Sequence, residues 1–290
     1  MKKVLITGKN GYIGTEFYKW IKINSTEISI EFIDVKTNEW KNKNFSNYDV
    51  VLHLAGIAHS SRNPKLKDLY YKVNRDLTFD LAKKSRQDGV KQFIFMSSII
   101  VYGEGSLNKT KIDGNTIPVP SNFYGDSKLQ AEKLIKELED DSFNIAVIRP
   151  PMIYGRNSKG NYSKLSKLSK LTPVFPDFYN ERSMLHIDNL SSFIATIILK
   201  NVRGTFFPQN KSYVTTSELV KTIAEVNDKK LILVPGFNYL IKILIKKQEI
   251  FNKLFGNLVY DKKLSEHQNL NDYWVNDFYE SIVKTERDIP

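Results

Sequence analysis

Short apolar runs alternate with amphipathic stretches over the first half of the chain. The runs are rich in β-branched residues and are predicted to be strands, at residues 4–7, 30–34, 50–54, 93–97 and 145–148. Apolar residues at helical spacing fill the intervals at 12–23, 64–88 and 122–139. Strands and helices that alternate in this way are typical of a parallel sheet covered on both faces. The pattern predicts an α/β fold with a doubly wound parallel sheet.

The regular alternation ends at Pro150-Pro151, after which short elements are separated by loops. We therefore expect residues 1–150 to form a first domain. Residues 151–290 are expected to form a smaller C-terminal region, packed as one unit with the first. The linker from Asp34 to Asp49 is short and polar, which predicts that a strand at this place is absent or stunted.

The first predicted strand runs directly into a glycine turn, Thr7-Gly-Lys-Asn-Gly-Tyr-Ile-Gly14. In a strand–turn–helix of this kind the backbone approaches a pyrophosphate, and the amides at the helix N-terminus point at it. A glycine trio alone is equally compatible with a tight turn that binds nothing. Asp34, at the end of the second predicted strand, supplies the acidic residue expected about twenty positions on. Together the two signals favour a dinucleotide site.

Composition excludes several classes of protein. The 290 residues contain no cysteine, and the four histidines stand at no metal-ligand spacing, so neither thiolate chemistry nor a metal site is expected. The net charge of +11 comes from 35 lysines and 8 arginines spread over the chain. Because specific base contacts favour arginine, we expect a solvated surface and no nucleic-acid partner. The absence of a signal peptide or long apolar run predicts a cytoplasmic protein without stable membrane insertion.

A basic amphipathic stretch at residues 237–259 leaves two interpretations open. Apolar clusters alternate there with Lys242, Lys246, Lys247 and Lys253. Amphipathicity of this kind usually marks a helix that packs in the core or against a subunit. Adsorption to a membrane surface is the alternative.

Tyr124 and Lys128 form the second chemical signal. Positions i and i+4 share one face of a helix, so both side chains point into the same space. A lysine ammonium beside a phenol favours the phenolate, which predicts a lowered pKa for Tyr124 and a useful acid–base group. Ser97 and Ser98 end a predicted strand, where a hydroxyl can hydrogen-bond the same substrate oxygen.

Further short motifs follow along the chain. They are His53-Leu-Ala-Gly56, Val73-Asn74, Ser97-Ser98 before Val101-Tyr-Gly103, Tyr124-x-x-x-Lys128, Arg149-Pro-Pro-Met-Ile-Tyr-Gly155 and Arg182-Ser-Met-Leu-His-Ile-Asp188. With the glycine turn and Asp34 they span residues 1–190. In this combination the chain resembles the extended short-chain dehydrogenases/reductases of the NAD-dependent epimerase/dehydratase family, which includes UDP-hexose 4-epimerases and nucleotide-sugar reductases.

The resemblance implies a Rossmann domain that binds NAD or NADP. Asp34 would bind the hydroxyls of the adenosine ribose, which favours NAD, whereas Lys36 could meet the 2′-phosphate of NADP. The residues that the resemblance implies for the dinucleotide are Gly8, Gly11, Tyr12, Ile13, Gly14, Asp34, Lys36, Leu54, Ala55, Gly56, Asn74, Ser97, Tyr124, Lys128 and Pro151.

The resemblance also implies catalytic and substrate-binding roles. Ser98 would be the catalytic hydroxyl and Tyr124 the acid–base, and both would contact the sugar. Lys128 would bind the nicotinamide ribose and tune Tyr124. Asn161 and Arg182 would bind the diphosphate of a UDP-sugar substrate, a task suited to the donor fork of arginine.

Departures from the family narrow the expected chemistry. Ile99 and Ile100 stand where nucleotide-sugar 4,6-dehydratases carry an Asp-Glu pair, so the comparison excludes a dehydratase. Met152 stands where many 4-epimerases carry an asparagine that contacts the sugar nucleotide, and this departure weakens the interpretation as a plain 4-epimerase. The segments 149–155, 182–187 and 255–260 resemble those of a family branch from bacterial surface-polysaccharide (capsule) synthesis. That likeness favours the NAD(P)H-dependent reduction of the C4 ketone of a UDP-4-keto-6-deoxy-N-acetylhexosamine.

Two alternatives use the same residues differently. A UDP-hexose 4-epimerase, for glucose/galactose or their N-acetyl forms, would pass hydride to bound NAD and take it back. A non-catalytic dinucleotide-sensing scaffold would keep the glycine turn alone, which the retained Ser98, Tyr124 and Lys128 disfavour. The resemblance further implies a homodimer through the helix at residues 122–139.

Overall fold

The computed structural model describes residues 1–58, 63–107, 111–266 and 270–287. The chain divides into two compact units. The first comprises Met1–Gly103, Ile117–Pro150 and Leu190–Pro208, and the second comprises Glu104–Thr116, Pro151–Asn189 and Gln209–Pro290. This division differs from a single boundary at residue 150, because the segment 190–208 returns to the first unit and adds a strand to its sheet. Packing of the two regions as one unit stays a prediction.

The strands are short and mostly buried. In the described part of the chain they are β1 (Lys2–Thr7), β2 (Ile28–Ile33), β3 (Val50–His53), β4 (Gln92–Met96), β5 (Asn144–Ile148), β6 (Met152–Tyr154), β7 (Val174–Pro176), β8 (Met184–His186), β9 (Gly204–Phe206) and β10 (Ile232–Val234).

The main sheet lies in the first unit and is parallel throughout. Among the described residues it has six strands in the order β2-β1-β3-β4-β5-β9. The five strands predicted from apolar runs are all present, with bounds within two residues of those expected. A 3₁₀ turn at Asn38–Asn42 occupies the polar linker, in which the described residues form no strand. The doubly wound parallel sheet is therefore confirmed.

The α-helices connect these strands. In the described residues they are α1 (Tyr12–Asn24), α2 (Lys67–Tyr70), α3 (Leu77–Gln87), α4 (Phe123–Lys136), α5 (Asn161–Leu171), α6 (Ile187–Lys200), α7 (Thr216–Val226), α8 (Asn238–Lys247), α9 (Glu249–Phe255) and α10 (Phe278–Glu286). A π-helical stretch at Tyr71–Asp76 joins α2 to α3. Single 3₁₀ turns lie at Pro64–Leu66, Ile99–Tyr102, Lys262–Leu264 and Asn271–Tyr273.

Alternate residues of the strands face opposite layers of helices. Leu5 of β1 belongs to a buried cluster with Leu81 of α3 and Ile135 of α4. Its neighbour Ile6 lies under Gly14 of α1, on the other face of the sheet. Burial on both faces explains why the strands are apolar runs and not alternating patterns. The sheet thereby holds its carboxyl-terminal edge rigid, where the loops of the site begin.

The second unit has its own core. Two short parallel strand pairs, β6 with β8 and β7 with β10, lie beside a cluster of buried side chains from α5, α7 and α8. Within α8, Ile241 and Ile245 are buried in that cluster. Among the described residues no helix is both long and apolar enough to cross a membrane.

Candidate functional site

The glycine turn after β1 brings two backbone segments unusually close. Gly8 has φ of +90°, a conformation that side chains disfavour, and a Cβ atom there would lie 3.1 Å from the backbone nitrogen of Ala55. The amide of Gly11 donates to the carbonyl of Gly8 at 2.9 Å and closes the turn. Only glycine fits at position 8, so the turn keeps an open backbone cradle.

Helix α1 begins directly behind this cradle. Gly11 stands at the N-cap and offers no side chain to the first amides of the helix. Gly14 packs tightly, since a Cβ atom there would lie 3.3 Å from side-chain carbons of Leu54 and Phe32. The helix N-terminus, with Tyr12 and Ile13 in its first turn, is thus held close to the ends of the central strands. An open cradle and an uncapped helix N-terminus fit the pyrophosphate of a dinucleotide.

The acidic residue of the motif lies just beyond β2. The side chain of Asp34 is exposed, and its Oδ1 accepts a hydrogen bond of 2.8 Å from the backbone nitrogen of Lys36. Lys36 is exposed as well. Because β2 is the neighbour of β1 in a parallel sheet, both residues stand at the same edge as the glycine turn. A ribose-binding carboxylate at this edge fits the dinucleotide interpretation.

His53 connects the glycine turn to helix α3. It was not identified from the sequence as a site residue. Its Nδ1 lies 2.7 Å from the Thr7 hydroxyl, and its Nε2 lies 2.9 Å from the Thr78 hydroxyl. Since the Thr78 hydroxyl donates to the carbonyl of Asn74, Nε2 must carry the imidazole proton and Nδ1 must accept one. Burial lowers the pKa of His53 to about 3, with a contribution from the charge of Lys128, so the ring is neutral.

The Thr7 hydroxyl completes this network. While it donates to His53, it accepts hydrogen bonds from the amides of Leu54 and Ala55, at 3.2 and 3.3 Å. The network therefore fixes the strand end that the glycine turn approaches. The position of His53 in the His-Leu-Ala-Gly segment was the available sequence signal.

Asn74 lies in the π-helical stretch and binds backbone. Its side-chain oxygen accepts from the amide of Ile57 at 2.8 Å, and its nitrogen donates to the carbonyl of Ile57 at 3.0 Å and to the Ser127 hydroxyl at 3.2 Å. A Cβ atom on Gly56 would lie 3.0 Å from the Asn74 oxygen and 3.2 Å from Lys128 Nζ. The loop after β3 is thus clamped beside the lysine ammonium.

The predicted catalytic residues come together at the start of α4. The side chain of Asn122 caps this helix by accepting from the amide of Gly125 at 2.9 Å, which fixes Tyr124 in the first turn. Ser98, in the turn after β4, interacts through its hydroxyl with the Tyr124 phenol. Lys128 lies one helical turn further along and donates to the carbonyl of Met96 at 2.8 Å. The structure therefore places the Ser98 hydroxyl near enough to the Tyr124 phenol to influence its pKa, and the catalytic roles of both residues stay predictions.

The electrostatic expectation for Tyr124 was wrong. Burial raises the pKa of Tyr124 to about 12, against a smaller opposite effect of the Ser98 hydroxyl. Burial also lowers the pKa of Lys128 to about 8, while the carboxylate of Glu132 acts in the opposite direction. The lysine ammonium is held by the carbonyl of Met96 and is not among the groups that shift the pKa of this phenol. In the free protein Tyr124 is accordingly a protonated phenol, ready to donate.

A buried ion pair supports this edge of the sheet and was also missed. Arg149 Nε lies 3.1 Å from each carboxylate oxygen of Glu132, and both side chains are largely buried. Arg149 also donates to the Tyr102 hydroxyl at 2.7 Å, and the Ser97 hydroxyl donates to Glu132. The side chain of Ser97 is thus engaged with Glu132. Glu132 stands four residues after Lys128, a helical spacing that could have identified it.

The predicted diphosphate residues lie in the second unit. Asn161, Arg182 and Lys253 line a small depression, with a cavity volume of about 10 Å³, together with Met152 and Thr215. Arg182 Nη1 donates to the carbonyl of Gly256 at 2.8 Å, and burial lowers the pKa of its guanidinium to about 10, opposed by Glu104. Lys253 lies 3.4 Å from the carboxylate of Glu104, so the two cationic groups leave a net positive charge beside amide and hydroxyl groups, which suits an anionic ligand. Pro151 is buried in the same unit, directly before β6.

Comparison with known proteins agrees with this geometry. Residues 4–207 match the model of the NAD dependent epimerase/dehydratase family. A UDP-glucose 4-epimerase from Vibrio cholerae is 32% identical over 90% of this chain and 87% of its own length. An N-acetyl-alpha-D-glucosaminyl-diphospho-ditrans,octacis-undecaprenol 4-epimerase from Escherichia coli O157:H7 is 30% identical over 79% of this chain and 73% of its own.

Solved structures share the fold. A UDP-N-acetylglucosamine 4-epimerase from Bacillus cereus matches with a TM-score of 0.78 and 18% identity, over 98% of this chain and 97% of that one. A dTDP-4-dehydrorhamnose reductase from Bacillus anthracis, in complex with NADP, matches with a TM-score of 0.75 and 20% identity, over 97% of both chains. At such identities the likeness shows the fold alone.

The chain belongs to the NAD dependent epimerase/dehydratase family. This confirms the resemblance deduced from the motifs and the prediction of a nicotinamide dinucleotide as cofactor. The roles of individual site residues, the homodimer and the cytoplasmic location stay predictions.

Proposed function

We propose that the protein is a 4-epimerase of a diphosphate-linked sugar, with NAD as the resident cofactor. The observation that carries the proposal is the position of the Ser98 hydroxyl near the Tyr124 phenol, at the edge of the sheet that also carries the glycine cradle. Two relatives that are at least 30% identical over 79% or more of this chain are both named as 4-epimerases. The reductases match at about 20% identity, which supports the fold and does not discriminate the chemistry.

The residues of the first unit bind the cofactor. The cradle of Gly8 and Gly11 and the N-terminus of α1 hold the pyrophosphate of the dinucleotide, and Asp34 binds its adenosine ribose. Lys128 binds the nicotinamide ribose. When bound, the nicotinamide ring supplies the reversible hydride acceptor for C4 of the sugar.

Tyr124 transfers the proton. Its phenol exchanges one proton with the oxygen on C4, and the Ser98 hydroxyl hydrogen-bonds the same oxygen. An epimerase must first remove that proton, and burial opposes the phenolate. An oxidised dinucleotide held by the glycine cradle and Lys128 would supply a positive charge, and such a charge would favour the phenolate of Tyr124. The same phenol returns the proton when the sugar regains its hydroxyl group.

The depression of the second unit supplies the substrate anchor. Arg182 and Lys253 provide positive charge for a diphosphate, and Asn161 provides an amide donor. The diphosphate belongs to a UDP-sugar in the name of one relative and to a lipid-linked sugar in the name of the other. We take UDP as the carrier, and a polyprenyl diphosphate as the alternative to be tested in parallel.

The 4-reductase expected from the sequence is the second candidate, and one observation favours it. Reduction of a C4 ketone needs Tyr124 as an acid, and burial keeps its phenol protonated. The substrate would be a UDP-4-keto-6-deoxy-N-acetylhexosamine, and one molecule of NADH or NADPH would be consumed for each ketone reduced. Lys36 at the ribose edge leaves NADPH open in this case.

A single assay separates the candidates. The protein is incubated with UDP-glucose, UDP-N-acetylglucosamine, a polyprenyl-diphosphate-linked N-acetylglucosamine and the UDP-4-keto sugar, each with NAD⁺, NADH or NADPH. Interconversion of C4 epimers without net change in absorbance at the nicotinamide band supports the epimerase. Stoichiometric loss of that absorbance with the keto sugar alone supports the reductase. The Tyr124→Phe protein serves as the blank, and turnover that survives this substitution contradicts both.

A further inference from the structure

Helix α8 of the second unit has a buried apolar face, and it carries apolar residues on its outward side as well, of which Tyr239 and Leu240 are exposed and Ile243 is partly buried. Ile241 and Ile245, one helical turn apart, anchor the helix in the core of the unit. On the opposite side Tyr239 is 78% exposed and Leu240 is 51% exposed. An ordinary surface helix presents polar residues there. The outward apolar side is therefore a feature that packing within this unit does not explain.

The outward side has an ordered pattern. At 100° per residue, Tyr239 and Ile243 lie one above the other, and Leu240 lies beside them. The same rotation places Lys242 and Lys246 on one flank of this stripe, and Lys247 lies within it, between the directions of Ile243 and Leu240. We refer to these six residues, Tyr239, Leu240, Ile243, Lys242, Lys246 and Lys247, as the α8 face.

Further exposed apolar residues lie elsewhere in the second unit, in β7, in β10 and in the segment between β10 and α8. Ile232 of β10 pairs with Val174 of β7, and these side chains are 65% and 50% exposed. The exposed Phe237 lies between β10 and α8. Single exposed apolar residues are normal, whereas a group of them beside lysines marks an interaction surface.

The positive charge of the segment around α8 favours an anionic partner. From Lys229 to Gln248 the chain carries five lysines and no acidic residue. A symmetric contact with a second copy would place this patch against itself and oppose like charges. An anionic phospholipid surface offers apolar chains below a layer of negative phosphates, which matches exposed apolar residues beside lysines.

We propose that the α8 face adsorbs to the surface of an anionic phospholipid bilayer. The helix lies in the plane of the membrane, with Tyr239, Leu240 and Ile243 among the headgroups and upper acyl chains. The three lysines of the face contact the phosphates. This adsorption needs no chemistry at Tyr124 and stands apart from the proposed function.

Sedimentation of the full-length protein with lipid vesicles tests the proposal. We expect co-sedimentation with vesicles that contain phosphatidylglycerol, weak binding to phosphatidylcholine alone, and release by salt. Replacing Lys242, Lys246 and Lys247 by glutamine should lower the partition coefficient roughly 100-fold. The matched control replaces Lys72, Lys83 and Lys133, which are exposed on the first unit, and should change it much less. Equal losses in the two triple variants would show general charge attraction and overturn the assignment to α8.

A label placed on the face gives a second, independent readout. Because the chain has no cysteine, Tyr239→Cys can carry a single polarity-sensitive fluorophore, with Ile117→Cys, equally exposed on the first unit, as the control. Anionic vesicles should shift the emission at position 239 to shorter wavelength and leave position 117 unchanged. A shift that occurs without lipid and follows protein concentration would show a subunit interface and overturn the proposal. No shift with vesicles would also overturn it.

Discussion

The ammonium group of Lys128 donates a hydrogen bond of 2.8 Å to the carbonyl oxygen of Met96, the last residue of β4. The same ammonium lies over the ring of Phe95, 4.5 Å from its centroid. A carbonyl dipole and an aromatic face replace part of the lost hydration, but burial still lowers the pKa of Lys128 to about 8. The charged lysine is thus held at a cost in stability before any ligand binds.

The lowered pKa of Lys128 predicts that the free energy of unfolding depends on pH. Between the folded pKa of about 8 and the unfolded pKa of 10.5, the unfolded chain binds more protons, so stability rises with pH in this window. At neutral pH, Lys128→Met should raise the free energy of unfolding by up to about 3 kcal/mol, and this gain should shrink as the pH rises. Urea denaturation of both proteins from about pH 7 to about pH 9.5 measures it.

Lys133→Met, at an exposed position of the same helix, is the control for this measurement and should leave the pH dependence unchanged. Parallel curves for wild type and Lys128→Met would contradict the depressed pKa.

The close approach of the glycine turn to β3 predicts that Gly8 tolerates no side chain. Gly8→Ala must accept both an unfavourable φ and a Cβ atom 3.1 Å from the backbone of Ala55. Gly89 provides a matched comparison, because its φ is +82° and an added Cβ atom there would meet nothing within 4 Å. Gly89→Ala should cost about 1 kcal/mol through backbone strain, and Gly8→Ala about 1–3 kcal/mol more.

Binding of NAD⁺, followed by calorimetry, provides the functional half of the Gly8 experiment. Gly89→Ala should bind as the wild type does, and Gly8→Ala should bind much more weakly. Equal effects of the two substitutions on stability and on binding would argue against a steric cradle at Gly8.

The sequence predicts those parts of the fold and the site whose residues lie close together along the chain. The glycine turn, Asp34 and the Tyr124–Lys128 pair are local patterns, and the structure places them at one edge of the sheet. Strand β9 has three residues and pairs with β5 from more than fifty positions away, so no local pattern indicates it. The raised pKa of Tyr124 depends on burial by segments distant in sequence, which spacing alone does not predict.

The buried pair of Glu132 and Arg149 should be strongly coupled. Their side chains are 7% and 11% exposed, so removal of one partner leaves an uncompensated charge in a poorly solvated place. Glu132→Gln and Arg149→Met should each cost about 3–5 kcal/mol, and the double variant should cost less than their sum. Denaturation of the four proteins of the cycle measures the coupling.

The exposed pair of Lys221 and Glu225, 3.8 Å apart on α7, provides the control cycle. Each of its single variants should cost under about 1 kcal/mol. Additive effects for Glu132 and Arg149 would contradict a coupled pair.

Removal of one hydroxyl group should separate chemistry from binding at Tyr124. Tyr124→Phe keeps the ring and its packing but loses the proton donor, so turnover should fall roughly 100- to 10,000-fold while NAD⁺ affinity and the free energy of unfolding change little. Tyr71→Phe is the control, since its hydroxyl donates to Asp126 at 2.6 Å and has no assigned part in proton transfer. Steady-state turnover with the substrate that the assay identifies, together with calorimetric NAD⁺ binding, measures both quantities. If the two variants lose turnover equally, Tyr124 is not the proton donor and the reaction must use another group.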